Sequence, residues 1–392
     1  MTAGPSSASG ARGETPKTGE HARALSEILA GRIRAGGPIS FAEFMRECLY
    51  HPAHGYYSRS NATRFGDYYT SVDVHPIFGR LLARQLAEMW EVLGSPRRFV
   101  VAESGAGVGR LASHILDFCA RALPEFYAAL EYVAVELSTA RRAEHAARLA
   151  DHAAAKRVSS AGEIPRAIPA GCIFSNELLD ALPVHRVVVE NGALREIFVG
   201  FENARFIEVQ GEASMPALAQ YFHEQGIRLE EGQQAEVCFE ACDWIENAGR
   251  ALERGFVLTI DYGHEARALY GEHHNRGTLL AYRDHTVSEN LLDAPGEQDL
   301  TAHVNFTALD LWGRRAGLDR TGLVTQSQFL VALGRGNQFA DLYEPGETEV
   351  EKLRARLLLK NLIHPEGLGN KFQVMIQHKG IDAPGLTGLA GW

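Results

Sequence analysis

FVVAESGAGVG, residues 99–109, passes from a short apolar run into a cluster of glycines, and Leu111, Ile115, Leu116 and Cys119 then share one helical face. The pattern predicts strand, tight turn, helix. Gly105 permits the turn, Gly107 lets a ligand approach the backbone, and Gly109 lets the helix pack close to the strand. A dinucleotide fingerprint would need its third glycine at position 110, where this chain has Arg110; the spacing here is GxGxG. The next strand, YVAVE, ends at Glu136, whose carboxylate can accept hydrogen bonds from both hydroxyls of a ribose. Strand, glycine loop, helix, strand and acid in this order suit S-adenosylmethionine, which has no pyrophosphate to seat on a helix N-terminus. Glu103, Gly105, Gly107, Gly109 and Glu136 are therefore the candidate cofactor residues. Taken alone, the three glycines could equally be a plain strand-to-helix turn.

Outward from this unit, a helix follows YVAVE to about His152, which makes the βαβ repeat of a parallel sheet with a right-handed crossover. CIFSN and FVLTID, near 172–176 and 256–261, read as further buried strands, and FQVMIQ at 372–377 as the last. Helices are expected over Leu309–Ala316 and Val350–Leu362, with a strand near Leu323. Upstream, two amphipathic helices flank Gly36-Gly37-Pro38, and a third runs from about Pro76 to Leu93. Alternating stretches such as RVVVE and REIFVGF predict antiparallel strands in an insertion.

The fold class expected is α/β: a Rossmann-like class I methyltransferase core with inserted substrate-binding segments and an N-terminal helical segment. Residues 1–20 read as a disordered tail and 21–95 as a helical and loop segment covering the cofactor site. The core occupies 96–185 and 236–380. Insertions at 186–235 and 263–306 leave the sheet at strand ends, where open α/β sheets bind ligands.

Composition narrows the function classes. A formal net charge of −10, with no cluster of Lys and Arg, argues against nucleic acid and suits a basic protein segment as partner. Five cysteines, an odd number, make no disulfide framework. Cys238 and Cys242 lack a second pair with zinc-ligand spacing, His273 and His274 form no HExxH, and His264-Glu265 continues without the second histidine. No metal is expected. No apolar run approaches the ~20 residues of a membrane span, and the first residues resemble neither a signal peptide nor a presequence, so the expected location is the cytoplasm.

Beyond the glycine loop, HPAHGYY, GDYYTS, the helix containing IFG, ESGAGVGRLA, SNELLDALPVHR, IDYGH, GTLLAYRDH, PGEQDLTAHVNF and QFLVALG occur in one order. In these blocks the chain resembles the MidA-type methyltransferases over nearly its whole length. Mitochondrial members of that family are complex I assembly factors that methylate an arginine. The resemblance implies S-adenosyl-L-methionine as cofactor and a protein as substrate, with arginine the acceptor. Ser104 departs from the apolar residue expected there, and the missing presequence points to a bacterial-type member.

Candidate chemistry falls at strand ends. Asn176 and Glu177 follow CIFSN, where methyltransferases of this architecture orient the acceptor; alternatively Asn176 caps a helix over ELLDAL. Glu177 and Asp180 would share a helical face and could hold a guanidinium bidentately. Asp261 ends the next strand, and His303 is a possible proton acceptor because histidine titrates near neutrality. Thr70 and Ser71 are candidate polar contacts to the cofactor, and Tyr56, Tyr57, Tyr68 and Tyr69 either line its pocket or pack the N-terminal segment. Two other classes compete with the enzyme: an assembly module that keeps the fold without turnover, and an NAD-dependent oxidoreductase, which Arg110 disfavours.

Overall fold

The structure is a computed structural model that describes residues 19–58, 76–283, 286–343 and 346–391. The central sheet has seven strands in one path, β1 (Phe99–Ser104), β2 (Leu130–Val135), β3 (Val158–Ala161), β4 (Gly171–Asn176), β5 (Gly255–His264), β6 (Asp319–Thr325) and β7 (Phe372–Lys379), and an eighth, Val304–Asn305, attached to the end of β5. Their order across the sheet is β3-β2-β1-β4-β5-β7-β6. The first five are parallel, while β7 runs antiparallel to both its neighbours. The order reverses between β1 and β4, so a crevice opens at their carboxyl ends, where sheets of this kind take ligands.

Alternation explains why the sheet is covered on both sides. Phe99 and Val101 of β1 join an apolar cluster on one face with Phe174 and Leu258, and Val100 and Ala102 join another with Ile173 and Val257. Helices cover each face as crossovers demand. One close approach is fixed by a glycine: a Cβ added to Gly79, in the helix Ile77–Val92, would lie 2.6 Å from the Cβ of His114 in the helix Arg110–Ala122.

The insertions are sheets of their own. His185–Glu190, Ala193–Glu202, Arg205–Glu212 and Gln234–Val237 pair antiparallel, as the alternation predicts, and the N-terminal pair Ile39–Ser40 adds to Ala193–Glu202. Leu280–Arg283 pairs antiparallel with Thr286–Ser288 and Asp299–Thr301. The helices Glu20–Gly36 and Phe41–Tyr50, the second started by a Ser40/Glu43 capping box, pack onto both insertions in a third apolar cluster with Val199 and Leu300. These helices thus brace the insertions, and residues 59–75 lie outside the described residues. No helix among the described residues is long and apolar enough to cross a membrane.

Gly79→Val should lower the melting temperature by several degrees, an overpacking cost of about 1–3 kcal/mol, because the new side chain enters space held by His114. An unchanged melting curve would show that the two helices separate freely.

Candidate active site

The glycine loop is held from below by hydrogen bonds. The amides of Gly105 and Ala106 both donate to the Val135 carbonyl at 2.9 Å. Gly107 N–H donates to Glu136 Oε2 at 2.8 Å, and Ser138 N–H to Oε1 at 2.8 Å. Gly105, Gly107 and Gly109 have φ of 76°, 55° and 78°, a region other residues rarely adopt. Among the described residues no heavy atom lies within 4 Å of a Cβ placed on Gly107, so its outer face is open. Gly109 makes room for a different neighbour than the strand: an added Cβ would meet His145 at 3.1 Å and Leu149 at 3.4 Å. His145, on the helix Thr139–Arg148, holds this loop and is a residue that sequence reasoning missed. Its Nε2 lies 2.8 Å from the Gly107 carbonyl and its Nδ1 2.9 Å from Ser160 Oγ, and nothing in an arginine- and alanine-rich helix singles it out.

Glu103 lies buried under the loop and accepts a 2.6 Å hydrogen bond from the Tyr132 hydroxyl. Burial pushes its carboxyl up to about 7; the Tyr132 hydrogen bond opposes the rise and the Glu136 charge adds to it. Ser104, beside it, is also buried, with its hydroxyl unpaired among the described residues.

The segment after β4 differs from its sequence reading. No helix forms over ELLDAL; only Leu179–Ala181 makes a single 3₁₀ turn, and Asn176 does not cap it. Glu177 instead takes φ of 52°, a conformation that costs a non-glycine residue free energy and must be held by its surroundings. The holder is Asp261. This residue, expected among the catalytic groups, is fully buried: Oδ2 accepts from the amides of Leu178 (3.2 Å) and Leu179 (2.8 Å), and Oδ1 from the amide of Tyr262 (2.9 Å). Its geometry is that of a positioning residue. Asn176 donates to Glu177 Oε1 at 3.2 Å, while its Oδ1 is buried without a partner among the described residues.

Although not helical neighbours, Glu177 and Asp180 do come together. With Asp299, Tyr262, Thr278 and His303 they line a narrow cavity of about 40 Å³, room for the tip of one side chain. All three acids are buried. The turn that carries Glu177 meets the glycine loop, since a Cβ on Gly105 would come within 2.9 Å of the side chain of Leu178, the next residue. Tyr57 donates to Asp299 Oδ1 at 2.7 Å, which fixes that carboxylate, and the Arg141 guanidinium lies 5.1 Å from the Tyr57 ring centre. Tyr56 and Tyr57 are packed and buried; Thr70, Ser71, Tyr68 and Tyr69 lie outside the described residues.

His303 does not meet its expectation as a near-neutral base. Burial, with His264 and His274 beside it, lowers its imidazole to about 4, so at neutral pH it is uncharged and a weak proton acceptor. The reading that no metal-ligand cluster exists also changes on folding. His264, His274 and His303, scattered over forty positions of sequence, bring ring nitrogens within 4.8 Å of one another. The five cysteines are free.

Residues 81–324 match the family described as "Putative S-adenosyl-L-methionine-dependent methyltransferase". The chain is 29% identical to Homo sapiens "Protein arginine methyltransferase NDUFAF7, mitochondrial", over 88% of this chain and 81% of the human protein. To the Drosophila melanogaster homolog of that protein it is 27% identical, over 92% of this chain and 86% of the other. A superfamily member from Burkholderia thailandensis, crystallised with S-adenosyl-homocysteine, is 29% identical and aligns with a TM-score of 0.83 over 96% of this chain and 98% of that one.

Glu103 carries a pH dependence. Its carboxyl sits near 7 rather than the ordinary 4.5, so the native state binds this proton more tightly than the unfolded chain does. That stabilisation is complete below about 4.5 and is lost as pH rises through about 7, on the order of 3 kcal/mol in all. Urea denaturation of wild type and Glu103→Gln at pH 5 to 8 should show wild type losing ground against the variant as pH rises. Parallel curves would mean that this carboxyl titrates normally.

Proposed function

The chain belongs to the S-adenosyl-L-methionine-dependent methyltransferase family, in its MidA-type branch, and on that premise we propose that it methylates the side chain of an arginine in a protein. The observation that carries the reading is the narrow cavity walled by Glu177, Asp180 and Asp299 beside the glycine loop. A guanidinium is cationic at every physiological pH and presents planar N–H forks that match carboxylates. Buried carboxylates at this cavity match both the charge and the planar N–H geometry of such a group. The names of the relatives point to the same acceptor, and the acidic surface charge of the chain favours a basic protein segment.

The residues present suit the cofactor. Gly105, Gly107 and Gly109 would let its aminoacyl end and ribose pass close to the backbone, with Glu136 accepting from the ribose hydroxyls. The orphaned Oδ1 of Asn176 would accept from its ammonium group. When bound, S-adenosyl-L-methionine supplies a methyl group made electrophilic by its sulfonium, which leaves as a neutral thioether.

The protein's task is then alignment and charge. Asp180 and Asp299 hold the guanidinium, and Glu177, fixed by the Asp261-capped turn, points its carboxylate at the reacting nitrogen. As the N–C bond forms and the S–C bond breaks, that nitrogen loses a proton, for which Glu177 is the acceptor. Such orientation can contribute on the order of 7 kcal/mol in favourable cases. His303, uncharged and weakly basic, has no part in the transfer.

Two substitutions separate cofactor from chemistry. Gly107→Val should weaken S-adenosylhomocysteine binding at least tenfold by calorimetry in a protein that still folds, because the branched side chain occupies the open face of the loop and is strained at φ of 55°; retained affinity would make the loop a mere turn. Glu177→Gln should keep that affinity while methyl transfer falls about 100-fold, roughly 2.7 kcal/mol of transition-state stabilisation. Wild-type turnover by the Gln variant would remove Glu177 from the mechanism. For the acceptor, labelled methyl transfer into a lysate should yield methylarginine on acid hydrolysis, and label recovered solely in other residues or in small molecules would overturn the arginine assignment.

A further inference from the structure

Three segments remote in sequence deliver one imidazole each to the same place. His264 ends β5, His274 closes the 3₁₀ turn Glu272–His274, and His303 precedes the two-residue strand Val304–Asn305. Ring centres are 5.4 Å apart for His264–His274, 5.4 Å for His264–His303 and 5.8 Å for His274–His303. One nitrogen of each lies within 4.8 Å of the others. The backbone is arranged to make this meeting possible: Gly263 and His264 pair in parallel with Val304 and Asn305, and a Cβ on Gly263, at φ of 154°, would fall 2.1 Å from the Val304 carbonyl oxygen. Only a glycine allows the end of β5 to lie this close to the strand that follows His303.

We propose that His264, His274 and His303 form a binding site for a divalent transition-metal ion of the zinc class. Three observations besides proximity support it. His274 Nδ1 lies 3.2 Å from the Ala268 carbonyl, the hydrogen bond that orients a metal-bound histidine and leaves Nε2 free to ligate. His303 Nδ1 is buried with no hydrogen-bond partner among the described residues, an omission a ligand bond would repair. The donor set is three imidazoles, which suits zinc and its neighbours and not magnesium or calcium. A tetrahedral zinc with bonds of about 2.1 Å holds its nitrogens about 3.4 Å apart, so the three rings need only turn toward one another, and all three are partly exposed.

Such an ion would staple the insertion to the sheet. It would tie the turn at 272–274 and the segment at His303 to the end of β5. Since His303 also lines the acid cavity, the ion would stiffen one wall of it. The inference stands on the histidines alone and does not depend on the acceptor being arginine.

The test uses tag-free full-length protein dialysed against chelator. Zinc chloride titrated into it should bind one ion per chain by calorimetry and raise the melting temperature by mass action, and cobalt(II) should give the visible absorption of a tetrahedral site. His264→Ala and His274→Gln should each weaken zinc binding at least tenfold and abolish the cobalt spectrum. Their metal-free melting temperatures should stay near that of wild type, which separates loss of a ligand from loss of the fold. His274, on a short turn, provides the milder variant if His264→Ala fails to fold. No binding by wild type at zinc concentrations on the order of 100 µM, or equal binding by wild type and His274→Gln, would overturn the site.

Discussion

The carboxylate of Asp261 accepts hydrogen bonds from three backbone amides, those of Leu178, Leu179 and Tyr262, at a position without access to water. A buried carboxylate is tolerable only with such donors, and each amide left unpaired would cost about 1–3 kcal/mol. The bond set joins the ends of β4 and β5 and shapes the turn between them. Glu177 is held at positive φ by that turn, Asp180 follows in it, and the carbonyl of Asp180 accepts from the Ala302 amide at 2.8 Å. Thus the two acids that follow β4 and the wall carrying Thr301 and His303 are set by one buried carboxylate.

A second clamp works on the glycine loop. Glu136 receives the Gly107 and Ser138 amides from above, while His145 reaches the Gly107 carbonyl from the following helix. Both polar groups of Gly107 are thereby satisfied from one side, and its open face remains clear. A loop of three glycines is otherwise costly to order because glycine loses more conformational freedom than other residues. The Glu136 carboxylate and the His145 imidazole offset that cost and hold the loop in its shape.

Legibility from sequence followed the strength of the local pattern. Phe99–Ser104 and Gly171–Asn176 were readable because strands buried on both faces are continuously apolar, and the glycines marked the turn that follows the first of them. β3, with the sequence VSSA, has two exposed serines at a sheet edge and carries no apolar signal. The helix Gln326–Arg335 was visible only as the motif QFLVALG, without its bounds. The misreading of ELLDAL shows tertiary context overriding propensity: good helix formers are bent into a 3₁₀ turn by a carboxylate eighty residues away. Pairings of that range, like the meeting of His264, His274 and His303, leave no spacing to read. The acid character of Glu177 and Asp180 was legible, and their common cavity was not.

The third apolar cluster joins the beginning of the chain to its later parts: Leu25, Leu29, Phe41 and Phe44 are buried against Val199, Leu279 and Leu300. On the ribosome these helices emerge well before their partners, since about 250 residues separate Phe44 from Leu300, roughly ten to fifty seconds of synthesis at 5–20 residues per second. For that interval their apolar faces lack the part of their native cover that Leu279 and Leu300 supply. The parallel strands of the core can begin pairing meanwhile, with the N-terminal helices tethered outside them. Birth order and packing order are therefore out of step in this protein: helices made early complete their apolar cover only when the strand Asp299–Thr301 has been made.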